Sequence, residues 1–300
     1  MKKNAFTLAE VLIVMALIGF LFTLMIPTVV QKQSTTKYIE HLQSAQAKLQ
    51  TALDMTAKDN NNLPPHDWPS VRMSENKSDA IMKELAKHLQ IMSYCGNSSK
   101  GCFSQNNYRT LNGKNTSIIV EDMEPNSQTI EPDTYTESDM LNQDESGWGE
   151  VNPQMELEYT EALPESSSTY VSLIDGGAVV LKTNSTKCDR LLVSTDTLER
   201  PLCGVIYVDV NGQNIPNMLG VDVFGFYLSN NSILPMGFYG DDFSFDYNCL
   251  RETPRARNSN GLGCTAWALK NRNMEYRKCQ AGTRIGWTKA TRCDTPPAQK

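Results

Sequence analysis

The chain has 300 residues, a formal net charge of −6 and eight cysteines. Its length leaves room for one sizeable or two small soluble domains beside an apolar segment. All the cysteines lie beyond residue 30 and none shows the C-x₂₋₄-C spacing of a zinc finger, so an exported, oxidising setting with disulfides is expected rather than zinc.

In chain order, a short basic leader, Met1–Ala5, meets an apolar run from Phe6 to Val30 whose one ionisable residue is Glu10. At about 1.5 Å per residue, such a helix crosses a hydrocarbon core about 30 Å thick. Lys2 and Lys3 on one side place the amino end in the cytoplasm. Glu10 is the anomaly, because a carboxylate in a lipid-embedded helix costs roughly 2.5–3.5 kcal/mol on insertion scales. A secretory signal peptide would carry a small-residue cleavage site after the run, and Pro27-Thr28-Val29-Val30-Gln31 offers none. A plain anchor explains the length and the lysines but not Glu10.

The segment Ala5, Phe6-Thr7-Leu8-Ala9-Glu10 and the apolar helix after it resemble the type IV pilin and type II secretion pseudopilin signature, with Gly19 and Pro27 where many pilins carry Gly and Pro. Ala5 departs from the family, which nearly always has Gly there. The resemblance implies a precursor held in the inner membrane by one span, its head exported. Prepilin peptidase would cut it between Ala5 and Phe6, and Phe6 would be N-methylated. It further implies assembly with other pilin subunits on an inner-membrane platform, into a cell-surface pilus or a periplasmic pseudopilus. Phe6, Glu10, Gly19 and Pro27 are the assembly residues so implied.

Beyond Pro27 the pattern turns amphipathic. Tyr38, Leu42, Ala45, Leu49, Leu53 and Thr56 recur at steps of three or four, so the helix is expected to run from Phe6 to about Lys58. Pro27 is expected to kink or loosen it. A half-polar rod of this length needs a globular surface under its stripe; a coiled-coil stalk is the alternative. Ser78 is read as the cap of a second helix, with Ile81, Leu85, Leu89 and Met92 on one face. The segment from about Asn106 to Ser168 reads as a polar, acidic surface insertion with one strand candidate at Ser117–Glu121.

Sheet signals follow at Thr169–Ile174 and Ala178–Thr183 about Asp175-Gly176-Gly177, then at Cys203–Val210, Val221–Ser229 and Ile233–Met236. A short helix is expected at Thr265–Asn271. The fold class is therefore α+β: a long N-terminal spine helix, its first half transmembrane, packed on an antiparallel sheet head with disulfide-bonded loops. The expected divisions are 1–5 leader, 6–30 assembly half of the spine, 31–58 amphipathic half, 59–168 helix, disulfide loop and acidic insertion, 169–248 sheet, and 249–300 basic tail.

Candidate chemistry is sparse. His41, His66 and His88 sit beside no sequence motif for a nucleophile or a phosphate loop, so no enzyme is expected. Proximity suggests the disulfides Cys95–Cys102, Cys188–Cys203, Cys249–Cys264 and Cys279–Cys293 among the 105 pairings eight cysteines allow. The stretch Asp209-Val210-Asn211-Gly212…Gly220-Val221-Asp222 resembles the carboxy-terminal part of many pilin-like proteins. Asp209, Asn211 and Asp222 offer oxygens to Ca²⁺, which some pseudopilins bind in this region. An Asx-stabilised turn without metal accounts for the same residues and is the preferred reading. No Lys, Arg or His falls between Asn115 and Leu181, whereas eleven Lys and Arg lie beyond Leu250. That basic tail could hold DNA, or pair with the acidic stretch, and the second reading explains both halves of the asymmetry.

Overall fold

The computed structural model describes residues 8–120, 167–183, 188, 190–192, 200–238, 241, 243–249, 259–278, 285–287 and 292–293, though not the side chains of residues 10, 19, 21–33, 167, 190–192, 200 and 247. Helix α1 spans Leu8–Asp59 and runs without a break through Pro27. Leu42, Ala45, Leu49, Leu53 and Thr56 are buried, as are Ile39 and Ala52 beside them. Burying a side chain such as Leu42 or Leu49 contributes roughly 1.5–3 kcal/mol. The helix ends where Asn61 and Asn62 take left-handed backbone, which Asn tolerates better than most residues.

Two short elements follow, a 3₁₀ turn at Pro65–Asp67 and α2 at Pro69–Arg72. Trp68 between them is fully buried, its indole N–H donating to the Leu63 carbonyl at 2.8 Å. Helix α3 is Lys77–Ala86, and its cap is Asn76 rather than Ser78: the Asn76 side chain accepts from the Asp79 N–H. Ser78 is buried instead and meets the Thr169 hydroxyl. Ile81 and Leu85 face the core, but Met92 lies on the next strand and is exposed, so the expected helical face stops short of it.

The strands are β1 Ile91–Gly96, β2 Tyr108–Arg109, β3 Asn115–Thr116, β4 Ser167–Leu173, β5 Ala178–Thr183, β6 Arg190–Leu192, β7 Arg200–Asp209, β8 Val223–Ser229 and β9 Ile233–Pro235. The main sheet is antiparallel in the order β1-β4-β5-β7-β8-β9, with β6 also on β7; β2 and β3 form a separate pair. Among the described residues two short helices follow, α4 at Phe245–Asn248 and α5 at Cys264–Asn271, with a 3₁₀ turn at Glu275–Arg277.

This sheet is buried on both faces. Val171, Val179, Leu181, Ile206, Val208, Phe224 and Phe226 point into a core shared with α1, α3 and α5. The alternate residues, among them Tyr170, Val180, Tyr207, Val223 and Tyr227, point into a second core. That second core corrects the reading of 106–120 as surface insertion: Phe103, Tyr108, Ile119 and Val120 are buried there. Of the strand expected at Ser117–Glu121, residues 117–120 form none, and Glu121 lies outside the described residues. The short strand lies at Asn115–Thr116, and Ile119 and Val120 serve as anchors instead. Residues 121–166 lie outside the described residues, as does half of the basic tail, so the expected acidic–basic pairing does too.

Disulfides join Cys95–Cys102, Cys188–Cys203 and Cys249–Cys264, the pairs that proximity suggested. Cys293 is also disulfide-bonded, and its expected partner Cys279 lies outside the described residues.

Candidate functional site

Two regions stand out. The first is the amino-terminal part of α1. From Leu8 to Phe20 the described apolar side chains are exposed on every side of the helix: Leu8, Val11, Leu12, Ile13, Val14, Met15, Leu17, Ile18 and Phe20. Leu8 keeps 79% of its surface and Phe20 62%, whereas Leu42 and Leu49, on the same helix, keep 0% and 1%. Exposed apolar area of this extent is not stable in water and marks a surface meant to be covered. Among the described residues no helix is long and apolar enough to cross a membrane. The expected span, Phe6–Val30, takes in residues outside that description. Ala5 and Phe6 lie outside the described residues, and Glu10, Gly19 and Pro27 are placed by backbone alone.

Residues 1–26 match the family described as the prokaryotic N-terminal methylation motif. The chain carries the type IV pilin and pseudopilin signature. No curated protein and no solved structure matches the chain significantly. The signature therefore rests on the end of α1, and an α+β head with an antiparallel sheet and disulfides is compatible with a pilin-like fold.

The second region is the loop between β7 and β8, where the structure brings Asp209, Asn211 and Asp222 together. Asp209 ends β7 and Asp222 directly precedes β8; both are fully buried. Asp209 accepts from the Tyr108 hydroxyl at 2.9 Å and from the Asn211 N–H at 3.2 Å. Asp222 accepts from the Met218 N–H at 2.7 Å and the Asn217 N–H at 2.9 Å. The loop is tied to the spine: His41 Nδ1 meets the Val210 carbonyl at 3.0 Å, and Asn211 Nδ2 approaches the Tyr38 hydroxyl at 3.5 Å.

Glycines let this loop pack. Gly212 has φ +65° and sits directly against the backbone of Gly176, where a Cβ would collide. Gly220 has φ +73°, and a Cβ there would lie 2.7 Å from Cys264 Sγ. Both positions thus require glycine twice over, for conformation and for space.

The electrostatics are those of an acceptor excess. Burial, and then the charge of Asp222, hold the Asp209 carboxyl well above its ordinary range. Burial raises Asp222 to about 6 against several N–H donors that lower it. Burial, then the adjacent Asp209 charge, push the Tyr108 hydroxyl up as well. Two further oxygens, Asn211 Oδ1 and Asn217 Oδ1, are buried with no hydrogen-bond partner. Two carboxylates and two amide oxygens form an oxygen-only donor set of the kind Ca²⁺ takes. The N–H donors on both carboxylates are equally those of an Asx-type turn, the reading preferred from the sequence. Tyr108 and Asn217 went unnoticed as site residues there. Tyr108 sat in a stretch read as polar insertion, and Asn217 carries no spacing signal of its own.

Proposed function

We propose that this chain is a structural filament subunit, a pilin or pseudopilin, possessing no catalytic role. The observation that carries the reading is the apolar, exposed amino-terminal part of α1, coupled to the methylation motif at residues 1–26. The precursor sits in the inner membrane through Phe6–Val30, and prepilin peptidase removes Met1–Ala5. Removal of Lys2 and Lys3 leaves an apolar rod with a new amine at Phe6. Such rods from neighbouring subunits cover one another, while the disulfide-bonded heads line the outside.

Glu10 acts in this scheme as a register device. A lone carboxylate in an apolar bundle is costly, and pairing with a neighbour's Phe6 amine relieves both charges only at the correct stagger. The test is filament recovery. Sheared cell-surface or periplasmic filaments should contain the wild-type chain, whereas Glu10→Val should accumulate in the membrane unassembled. Normal filaments from Glu10→Val would defeat the register role.

The acceptor excess between β7 and β8 favours one addition to this reading. Asp209, Asn211, Asn217 and Asp222 hold one Ca²⁺, which neutralises the two carboxylates and fixes the loop on the spine helix. The ion serves stability here, not chemistry.

A further inference from the structure

A third cluster lies apart from both regions. A ring nitrogen of His66 and the sulfurs of Cys188 and Cys203 lie within 4.8 Å of one another. His66 is held by the 3₁₀ turn Pro65–Asp67, Cys203 by β7, and Cys188 is brought to it by the disulfide. The two sulfurs belong to nearly fully buried residues, Cys188 at 4% and Cys203 at 1% exposure.

The histidine is set up as a ligand is. Its Nε2 faces the Asp67 carboxylate at 3.3 Å, and its Nδ1 is buried with no hydrogen-bond partner. A proton on Nε2, directed at Asp67, leaves Nδ1 with a free lone pair. A carboxylate behind one ring nitrogen and an unoccupied second nitrogen is the arrangement that orients histidine on zinc. A buried polar atom left unpaired otherwise costs about 1–3 kcal/mol, so its persistence calls for a function.

We propose that His66, Cys188 and Cys203 form a zinc site that opens when the Cys188–Cys203 disulfide is reduced. As a disulfide the pair has no thiolate to offer, so the oxidised head binds no zinc there. A dithiol reductant transfers two electrons: the sulfur–sulfur bond breaks, the dithiol closes to its own disulfide, and two protons leave as the two thiolates take Zn²⁺. Ligand atoms around one tetrahedral zinc stand roughly 3.5–4 Å apart, from bond lengths of about 2.0–2.3 Å, which fits within the span of this cluster. Beside the cluster stands Asn230, whose Oδ1 lies 3.5 Å from Cys203 Sγ. Asn230 lines an open groove of about 740 Å³ together with Asn62, Pro64 and Pro201, through which water or the ion can enter. The same loop is thereby stapled in either redox state, by a covalent bond when oxidised and by the metal when reduced. This inference is independent of the filament reading and survives its failure.

The test uses the full-length chain in detergent, reduced with a dithiol, freed of reductant without oxygen and titrated with Zn²⁺ and, as a spectroscopic probe, Co²⁺. Expected is a site that takes one ion per chain, with a sulfur-to-cobalt charge-transfer band, absent from the oxidised protein. The double variant Cys188→Ser with Cys203→Ser should lose that ion, and His66→Gln should weaken it at least a hundredfold. Asp67→Asn should weaken it about tenfold to a hundredfold by loosening the imidazole. The double variant Cys95→Ser with Cys102→Ser should keep it, which separates this site from other reduced thiols. No ion retained by the reduced chain would overturn the proposal. So would binding that ignores His66→Gln, or equal binding by the oxidised chain.

Discussion

The two ends of helix α1 are built from similar apolar residues and meet opposite fates. Leu42, Leu49 and Leu53 are sealed in the head, while Leu8, Leu12 and Leu17 project from it uncovered. The difference lies in patterning. Beyond residue 36 the apolar residues form one stripe, with Lys37, Glu40, Lys48 and Asp54 on the faces left in solvent, so a single domain surface satisfies the helix. From Leu8 to Val30, Glu10 apart, the sequence is apolar all round, and a single surface cannot cover it. One half is thus a folding element, and under the proposed function the other is an assembly element carried on the same rod.

The largest expected effect is on assembly. Replacing Leu12, Val14 and Leu17 together by Ser should leave the thermal melt of the head within about 0.5 kcal/mol of wild type, the range of ordinary surface changes. Filament yield should fall to background. Loss of head stability in this variant would break the division between the halves.

Next in size is the mirror experiment. Leu49→Ala, which opens a cavity against the core shared by α1 and the sheet, should cost about 2–5 kcal/mol in denaturant unfolding of the head. The matching Leu12→Ala should cost nothing measurable there.

The carboxylate loop sharpens the comparison, since Tyr38 and His41 on the folded half touch it. Calcium should raise the melting temperature of the head by several degrees, and Asp209→Ala should abolish that rise. In chelator the sign with pH is fixed by the raised carboxyls. Asp222 titrates near 6 in the folded head against 3.8 as its ordinary value, and Asp209 is raised too. Between those values the folded state binds more protons than the unfolded one. Stability from these groups is therefore fully present below about pH 4 and is lost as pH rises through about 6. Calcium, by replacing the protons, should flatten that decline. A melting temperature indifferent to both calcium and pH would leave the loop an ordinary turn.

The smallest effect expected is at the surface. Lys48 on α1 pairs with Asp175 in the turn between β4 and β5, both about a third exposed. Burial works against the Asp175 charge, yet the Lys48 ammonium and the Gly177 N–H outweigh it and hold the carboxyl below its usual range. Lys48→Ala should cost under about 1 kcal/mol, and less in high salt.

Legibility in the sequence followed the strength of local signals. The spine was readable because its stripe persists from Tyr38 to Thr56, about five turns, and β5 because a Gly-Gly turn and a β-branched run define it. The second core was not. Tyr108, Ile119 and Val120 are scattered among Ser, Asn and Gly, and such isolated residues look like surface until the sheet's other face is seen to need cover. The turn residues of the carboxylate loop were legible, but its acceptor excess was not, because Tyr108 reaches Asp209 across a separation of 101 residues. His66 beside a disulfide left no trace in spacing at all.

Under the proposed function the amino-terminal half of α1 begins as an anchor and ends as polymer core, which requires that Phe6 become the first residue. Mass spectrometry of the amino-terminal peptide from the mature protein tests this most directly. Expected is a peptide beginning at N-methylated Phe6, with Met1–Ala5 gone. A mature protein that keeps Met1, or that starts beyond Val30, would contradict it.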